Sequence, residues 1–187
     1  MLSGYPKTVR IQTGTDVTIR PMVKEDADRL YAFFNRVPIG DRVFLRDDVS
    51  KREVIDAWAR DLDYERVFPL LAEVGENIVG DATLHRRGHG WASHVGKMRI
   101  LVDIDYRDKG LGTILILEVI TLAKKAGLER LVVEIMDSQK VALDAFKNLG
   151  FEKEAVLAKF VKDQEGREHD LIVMVRNLVG EPVPTTF

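Results

Sequence analysis

The apolar positions change period along the chain. Thr8 to Gln12 and Val17 to Arg20 are β-prone runs on either side of Thr13-Gly14-Thr15-Asp16, a polar turn, and predict a first hairpin. Within Lys24 to Arg36, the positions of Leu30, Phe33 and Phe34 follow a helical spacing that Pro38-Ile39-Gly40 breaks. Ser50-Lys51-Arg52-Glu53 has capping-box spacing and predicts the start of a second helix, with Val54, Ile55, Trp58 and Leu62 on one face. Three β-prone runs follow, Val67 to Val74, Ile78 to His85 and Val95 to Ile104, which predict an antiparallel meander. A helix over Gly112 to Ala126, a strand over Leu131 to Met136 and a helix over Gln139 to Leu149, capped by Ser138 and ended by Gly150, then introduce parallel pairing. Strands over Ala155 to Val161 and His169 to Arg176 close the chain around Asp163-Gln164-Glu165-Gly166. The order is β, α, α, β, β, β, α, β, α, β, β, an α/β (mixed α+β) class.

With 187 residues, 45% apolar and 31% charged, the chain is expected to form one domain, its core at about 17–178 and mobile tails at 1–7 and 180–187. A net charge of −2 gives no electrostatic footprint for nucleic acid. The lack of cysteine excludes disulfides, thiolate metal sites and a cysteine nucleophile, and suits the cytoplasm. Met1 to Gln12 lacks a signal-peptide pattern, and no run reaches the roughly 18 apolar residues of a membrane span. The four histidines are scattered, so no metal is expected.

Chemistry concentrates between the third meander strand and the long apolar helix, in Val102-Asp103-Ile104-Asp105-Tyr106-Arg107-Asp108-Lys109-Gly110-Leu111-Gly112-Thr113. Gly110 and Gly112 let backbone approach a ligand, the first amides of the helix lack partners, and Arg107 and Lys109 add positive charge. This is an anion trap suited to a pyrophosphate. A dinucleotide fingerprint would need glycine where Leu115 stands, and a P-loop would need Gly-Lys-Ser/Thr; neither is present.

Arg107, Gly110 and Gly112 match the Gln/Arg-x-x-Gly-x-Gly/Ala signature, and Leu149-Gly150-Phe151 resembles a recurring Gly-Phe helix ending, with Asn148 in place of its lysine. On these residues the chain resembles the GNAT acetyltransferase superfamily. The resemblance implies a central mixed sheet, flanked by helices and splayed open after the strand before the Gly loop, with the pantetheine arm of acetyl-CoA in the split. Ile100, Leu101 and Val102 would hold the arm and polarise the thioester. Arg107, Asp108, Lys109, Gly110, Leu111, Gly112 and Thr113 would hold the pyrophosphate. An amine acceptor, a small molecule or a protein lysine, would enter between the first two helices and the final hairpin, framed by Ile39 to Asp48 and Asp163 to Glu168.

Many members of that superfamily have an asparagine and, seven residues later, a tyrosine that protonates the departing thiolate. Counted back from Gly150-Phe151, those places hold Gln139 and Phe146, and phenylalanine has no proton to give. A missing general acid costs roughly 10²- to 10⁴-fold, but a thiol of pKa about 8.5 leaves tolerably without one. Helical spacing also fits Phe146 as a core residue beside Val141, Ala142 and Leu149. For the proton on the amine, Glu73 and Glu134 are the candidate bases, with Tyr106 a candidate donor to the ligand; His85, His94 and His169 lie near strand ends without a telling spacing. Arg86-Arg87-Gly88-His89 is the compact basic cluster, read as a solvated loop. Alternatives are an acyl-CoA-binding or sensing module that has lost transfer, and a purely structural α/β domain. A homodimer is compatible with the sequence and carried by no residue of it.

Overall fold

The structure, a computed structural model, describes residues 3–42, 45, 47–163 and 165–180. Eight strands form one sheet in the order β1-β2-β3-β4-β5-β6-β8-β7. They are β1 (Lys7–Arg10), β2 (Asp16–Pro21), β3 (Val67–Val74), β4 (Asn77–His85), β5 (Val95–Val102), β6 (Arg130–Met136), β7 (Glu152–Lys162) and β8 (Glu168–Asn177). Every neighbouring pair is antiparallel except β5 and β6, where the helix between them returns the chain in the same direction.

Helices cover both faces of the centre, so β3 reads as a nearly continuous apolar run rather than an alternation. On one face α4 (Leu111–Lys125) packs Leu111, Leu115, Val119 and Ala123 against Leu70, Ala82, Leu84 and Met98. This cluster continues to Phe146 of α5 (Lys140–Asn148) and to Phe151, whose rings meet edge-on at 5.0 Å. On the other face α1 (Ala27–Arg36) and α3 (Arg52–Arg60) bring Leu30, Phe33, Phe34 and Ile55 onto Leu71 and Ile78. Each such side chain contributes about 1.5–3 kcal/mol by leaving water. A four-residue α2 (Ile39–Arg42) follows α1.

The feature that positions the site is a defect in this sheet. β5 and β6 pair only over Val95–Lys97 and Arg130–Val132. Beyond Lys97 they diverge, β5 remaining on β4 to Val102 and β6 remaining on β8 to Met136. A sheet of this class has a split, as the resemblance implied.

Several local expectations are corrected. Ser50 does not cap α3: Lys51 is the capping position, and the Ser50 hydroxyl is taken by Asp48 Oδ1 at 2.5 Å. Leu62 lies past the end of α3. Gln139, not Ser138, precedes α5, and no side chain caps it. The stretch up to residue 7 is anchored from Tyr5 onward: the Tyr5 hydroxyl donates to Glu118 Oε2 at 2.9 Å, Lys7 pairs with Glu118, and Lys7 begins β1. The expected tail beyond 180, and part of the 39–48 and 163–168 segments, lie outside the described residues.

Candidate active site

The split between β5 and β6 forms a cleft of about 670 Å³, lined by Met98 to Val102 on one wall, Val133 to Ile135 on the other, and Gly110, Gly112 and Thr113 at its mouth. Peptide groups alternate sides along a strand. Because Asp103 N donates to Val79 O on β4, the peptide groups of Ile100 and Val102 face the split and that of Leu101 faces β4. Their N–H groups are therefore available to a ligand lying along β5.

At the mouth, Gly110 starts α4 with φ 86°, a left-handed conformation that only glycine adopts at little cost. It has no side chain with which to cap the amides of Leu111, Gly112 and Thr113, and no acidic residue lies in the first turn. A Cβ on Gly112 would meet nothing closer than Val102 Cγ2 at 3.9 Å, so this turn is open toward the cleft. Uncapped amides, a helix dipole and open space suit a phosphate group. The residues present thus fit the pyrophosphate end of coenzyme A.

The loop is held from three sides by Gln12, Arg36 and Asp41, which sequence reading did not single out as site residues. Gln12, in the β1–β2 turn, donates its backbone N–H to Lys109 O at 3.1 Å and lies 3.4 Å from the position of a Cβ on Gly110. Asp103 accepts from Asp105 N and pairs with Arg36 of α1. Arg107 donates to Val102 O and to Asp41 of α2. Only tertiary contacts mark Gln12, Arg36 and Asp41, since nothing in the local pattern separates them from other polar residues.

A second cleft of about 560 Å³ lies between α1, α3 and the sheet, with an apolar wall that includes Leu30, Phe34, Trp58 and Leu62. Leu45, Arg99, Ile100 and Leu101 line both clefts, so the two meet across β5. On its sheet side stand Asp81, Thr83 and His85 of β4. Burial pushes the Asp81 carboxyl up to about 7, although the nearby Arg99 opposes the shift. A carboxyl that titrates near neutrality beside the junction is suited to proton transfer. Sequence reading missed it. The available signal was an acid in the middle of the apolar strand Ile78-Val79-Gly80-Asp81-Ala82.

The residues anticipated from sequence fall into three groups. Ile100, Leu101, Val102, Arg107, Asp108, Gly110, Gly112, Thr113, Gln139 and Phe146 all line the split. Phe146 is also 6% exposed within the core, and Gln139 accepts from Met136 N. Lys109 and Leu111 do not line it: Lys109 Nζ donates to Asp105 O and lies over the Tyr106 ring, and Leu111 is fully buried. Their amides remain in the loop.

Of the candidate acids and bases, Glu73 lines neither cleft. Arg20 and Arg29 hold it at 2.5 and 2.8 Å beside Asp26. Glu134 lines the split but pairs with Lys97 at 2.5 Å. Tyr106 packs against the α4-side core, and among the described residues none of the four tyrosines lines either cleft. His169 binds Asp137 and Asp163, and His94 contributes its carbonyl to the turn before β6. Arg86 of the basic cluster is committed to Tyr64 O and Glu65. The final hairpin contributes no residue to the second cleft among the described residues; α3 and β3–β5 frame it instead.

Fold and site together define a split-sheet α/β protein with an anion-accepting loop at one end of the split and a second cleft meeting it at the middle. The chain belongs to the acetyltransferase (GNAT) family, whose model matches residues 28–151. It is 28% identical over 152 residues to an uncharacterized N-acetyltransferase of Methanocaldococcus jannaschii, covering 78% of this chain and 65% of that protein. It is 33% identical over 75 residues to the [ribosomal protein bS18]-alanine N-acetyltransferase of Escherichia coli, covering 40% and 50%. The chain therefore spans only about half to two thirds of the length of these relatives. In structure it is similar to the yncA protein of Salmonella typhimurium, solved with its cofactor acetyl-CoA, at a TM-score of 0.74 and 22% identity over 91% of this chain and 99% of that one.

Proposed function

We propose that the chain transfers the acetyl group of acetyl-CoA to a primary amine by direct attack. The observation that carries this reading is the meeting of the two clefts at Arg99 to Leu101, with the Asp81 carboxyl beside the junction. When bound, acetyl-CoA supplies the acetyl group as an activated thioester. The Gly110–Thr113 amides and Arg107 would hold the pyrophosphate, and the N–H groups of Ile100 and Val102 would hold the arm and the thioester carbonyl.

Asp81, ionised above about pH 7, takes a proton from the entering ammonium, directly or through water. The freed nitrogen bonds the acetyl carbon, the carbon–sulfur bond breaks as that nitrogen gives up its second proton to water, and the thiolate leaves and takes a proton from solvent. With Phe146 in the core and no tyrosine in either cleft among the described residues, the low pKa of a thiol replaces a dedicated acid. Proximity along the shared wall supplies much of the rate. Acetyl-CoA and the amine are the partners on this reading, and the cysteine-free composition suits the cytoplasm.

The test is thiol release from acetyl-CoA across a panel of amines and lysine peptides, read with a thiol-reactive dye. The protein has no cysteine of its own to react. Amine-dependent release that Gly112→Glu abolishes supports transfer. Tight acetyl-CoA binding without release, with every amine offered, supports a binding module instead.

A further inference from the structure

Arg99 projects from β5 on the face that carries Leu101, toward α1 and α3, where the two clefts meet. It is half-buried and, among the described residues, makes no hydrogen bond and no ion pair. Arg20, Arg36, Arg86 and Arg107, in contrast, all hold carboxylates. Arg99 acts on Asp81 through space alone, without a hydrogen bond. A guanidinium carries five donors in a fixed fork that matches a carboxylate, and removing it from bulk water without an acceptor is unfavourable.

Asp81 and Arg99 are diagonal neighbours across the β4–β5 pair: Asp81 stands opposite Leu101, and Arg99 opposite Thr83. Such neighbours are about 7–8 Å apart at most between Cβ atoms. Two opposite charges at that spacing, uncombined and facing one cleft, complement a ligand whose own opposite charges are one carbon apart. Beside them, Phe34 and Trp58 meet edge-on at 5.8 Å and offer an apolar wall. A cleft of about 560 Å³ suits a small molecule. Of the other acids on its lining, Asp61 is bound by Arg60, Asp63 accepts from Glu65 N, and Asp47 is exposed, away from the diagonal pair on β4 and β5.

We propose that the acceptor is a compact α-amino acid with an apolar side chain, its carboxylate on Arg99, its amine toward Asp81 and its side chain on Phe34 and Trp58. This rests on the acetyl-transfer reading. A polyamine would meet the lining acids Asp47, Asp61 and Asp63 but would bring no anionic group to Arg99. A lysine side chain would bring only methylenes next to its amine and leave Arg99 unpaired. Arg99 is thus the residue that selects an anionic group on the acceptor, and Asp81 the residue that receives the proton.

The test compares kcat/KM at saturating acetyl-CoA for phenylalanine and phenethylamine, which share an aromatic body and an amine and differ in the carboxylate. Phenylalanine should be preferred by about 10- to 100-fold, the effect of a charge-assisted pair. Arg99→Gln should collapse that ratio and Arg99→Lys should retain part of it; melting curves establish that both variants are folded. Calorimetric binding of phenylalanine, leucine and methionine to the protein with CoA bound reads the same site without turnover. Equal kcat/KM for the two amines overturns the proposal while leaving acetyl transfer intact. Arg99-dependent binding of an amino acid without thiol release upholds the carboxylate site while removing transfer. Neither binding nor turnover of any of the three amino acids overturns the proposal.

Discussion

The Arg107 guanidinium donates to Asp41 Oδ2 at 2.6 Å, so the arginine of the Gly loop is already paired where it lines the cleft between β5 and β6. The same contact ties α2 to the loop. An incoming pyrophosphate must share Arg107 with Asp41 or displace it. Asp41→Asn should therefore tighten CoA about two- to fivefold, the scale of a partly exposed ion pair, and Arg107→Ala should weaken it. Titration calorimetry with CoA at low and high salt checks both, and equal affinity for Asp41→Asn and wild type would remove the competition.

Asp81→Asn should lower kcat by roughly 10²- to 10⁴-fold and remove the acidic limb of the pH–rate profile, which in the wild type should fall away below about pH 7. The same substitution should raise stability. A carboxyl whose folded pKa is raised weakens the fold as pH climbs from its unfolded value near 4 to about 7, and the full cost persists above that. The gain at pH 8 should be on the order of 2 kcal/mol, discounted from the full shift for the water the side chain still meets, and should vanish near pH 3. Melting curves of both proteins at pH 3 and pH 8 provide the check.

Glu73 is a structural anchor on this geometry. Glu73→Gln should leave kcat within about twofold and cost about 2 kcal/mol, because it leaves Arg20 and Arg29 with one carboxylate, Asp26, between them. Denaturant unfolding alongside the thiol assay separates the two effects. A large loss of kcat with unchanged stability would return Glu73 to the catalytic candidates.

His169 bridges Asp163 and Asp137, and its pKa is raised first by the hydrogen bond to Asp163. A raised histidine pKa contributes stability that is fully present below the unfolded value near 6.5 and is lost as pH rises through the higher folded value. The β7–β8 end should thus be most protected at mildly acidic pH. Hydrogen exchange of its amides, corrected for intrinsic rates, should show protection falling with rising pH in the wild type and flat in His169→Phe.

Much of the fold follows from local patterns. The meander, the long apolar helix and the closing hairpin were legible because their apolar periods are strong and their turns carry glycine or polar clusters. The caps at Ser50 and Ser138 were misread, because a capping serine has competing partners nearby and Asp48 claimed the first hydroxyl. For the site, the sequence determined the anion-accepting loop: Gly110 and Gly112 shape it through backbone conformation and helix polarity, both of which are local, whereas the pairing of Arg107 with Asp41 is tertiary. The proposed proton-transfer group was decided by tertiary structure. Glu73 and Asp81 are both acids in apolar strands, and only the packing shows that one is neutralised by Arg20 and Arg29 while the other stands desolvated on the wall of the second cleft. Desolvation and charge pairing depend on what the rest of the chain brings alongside, so a residue's own neighbours in sequence do not carry them.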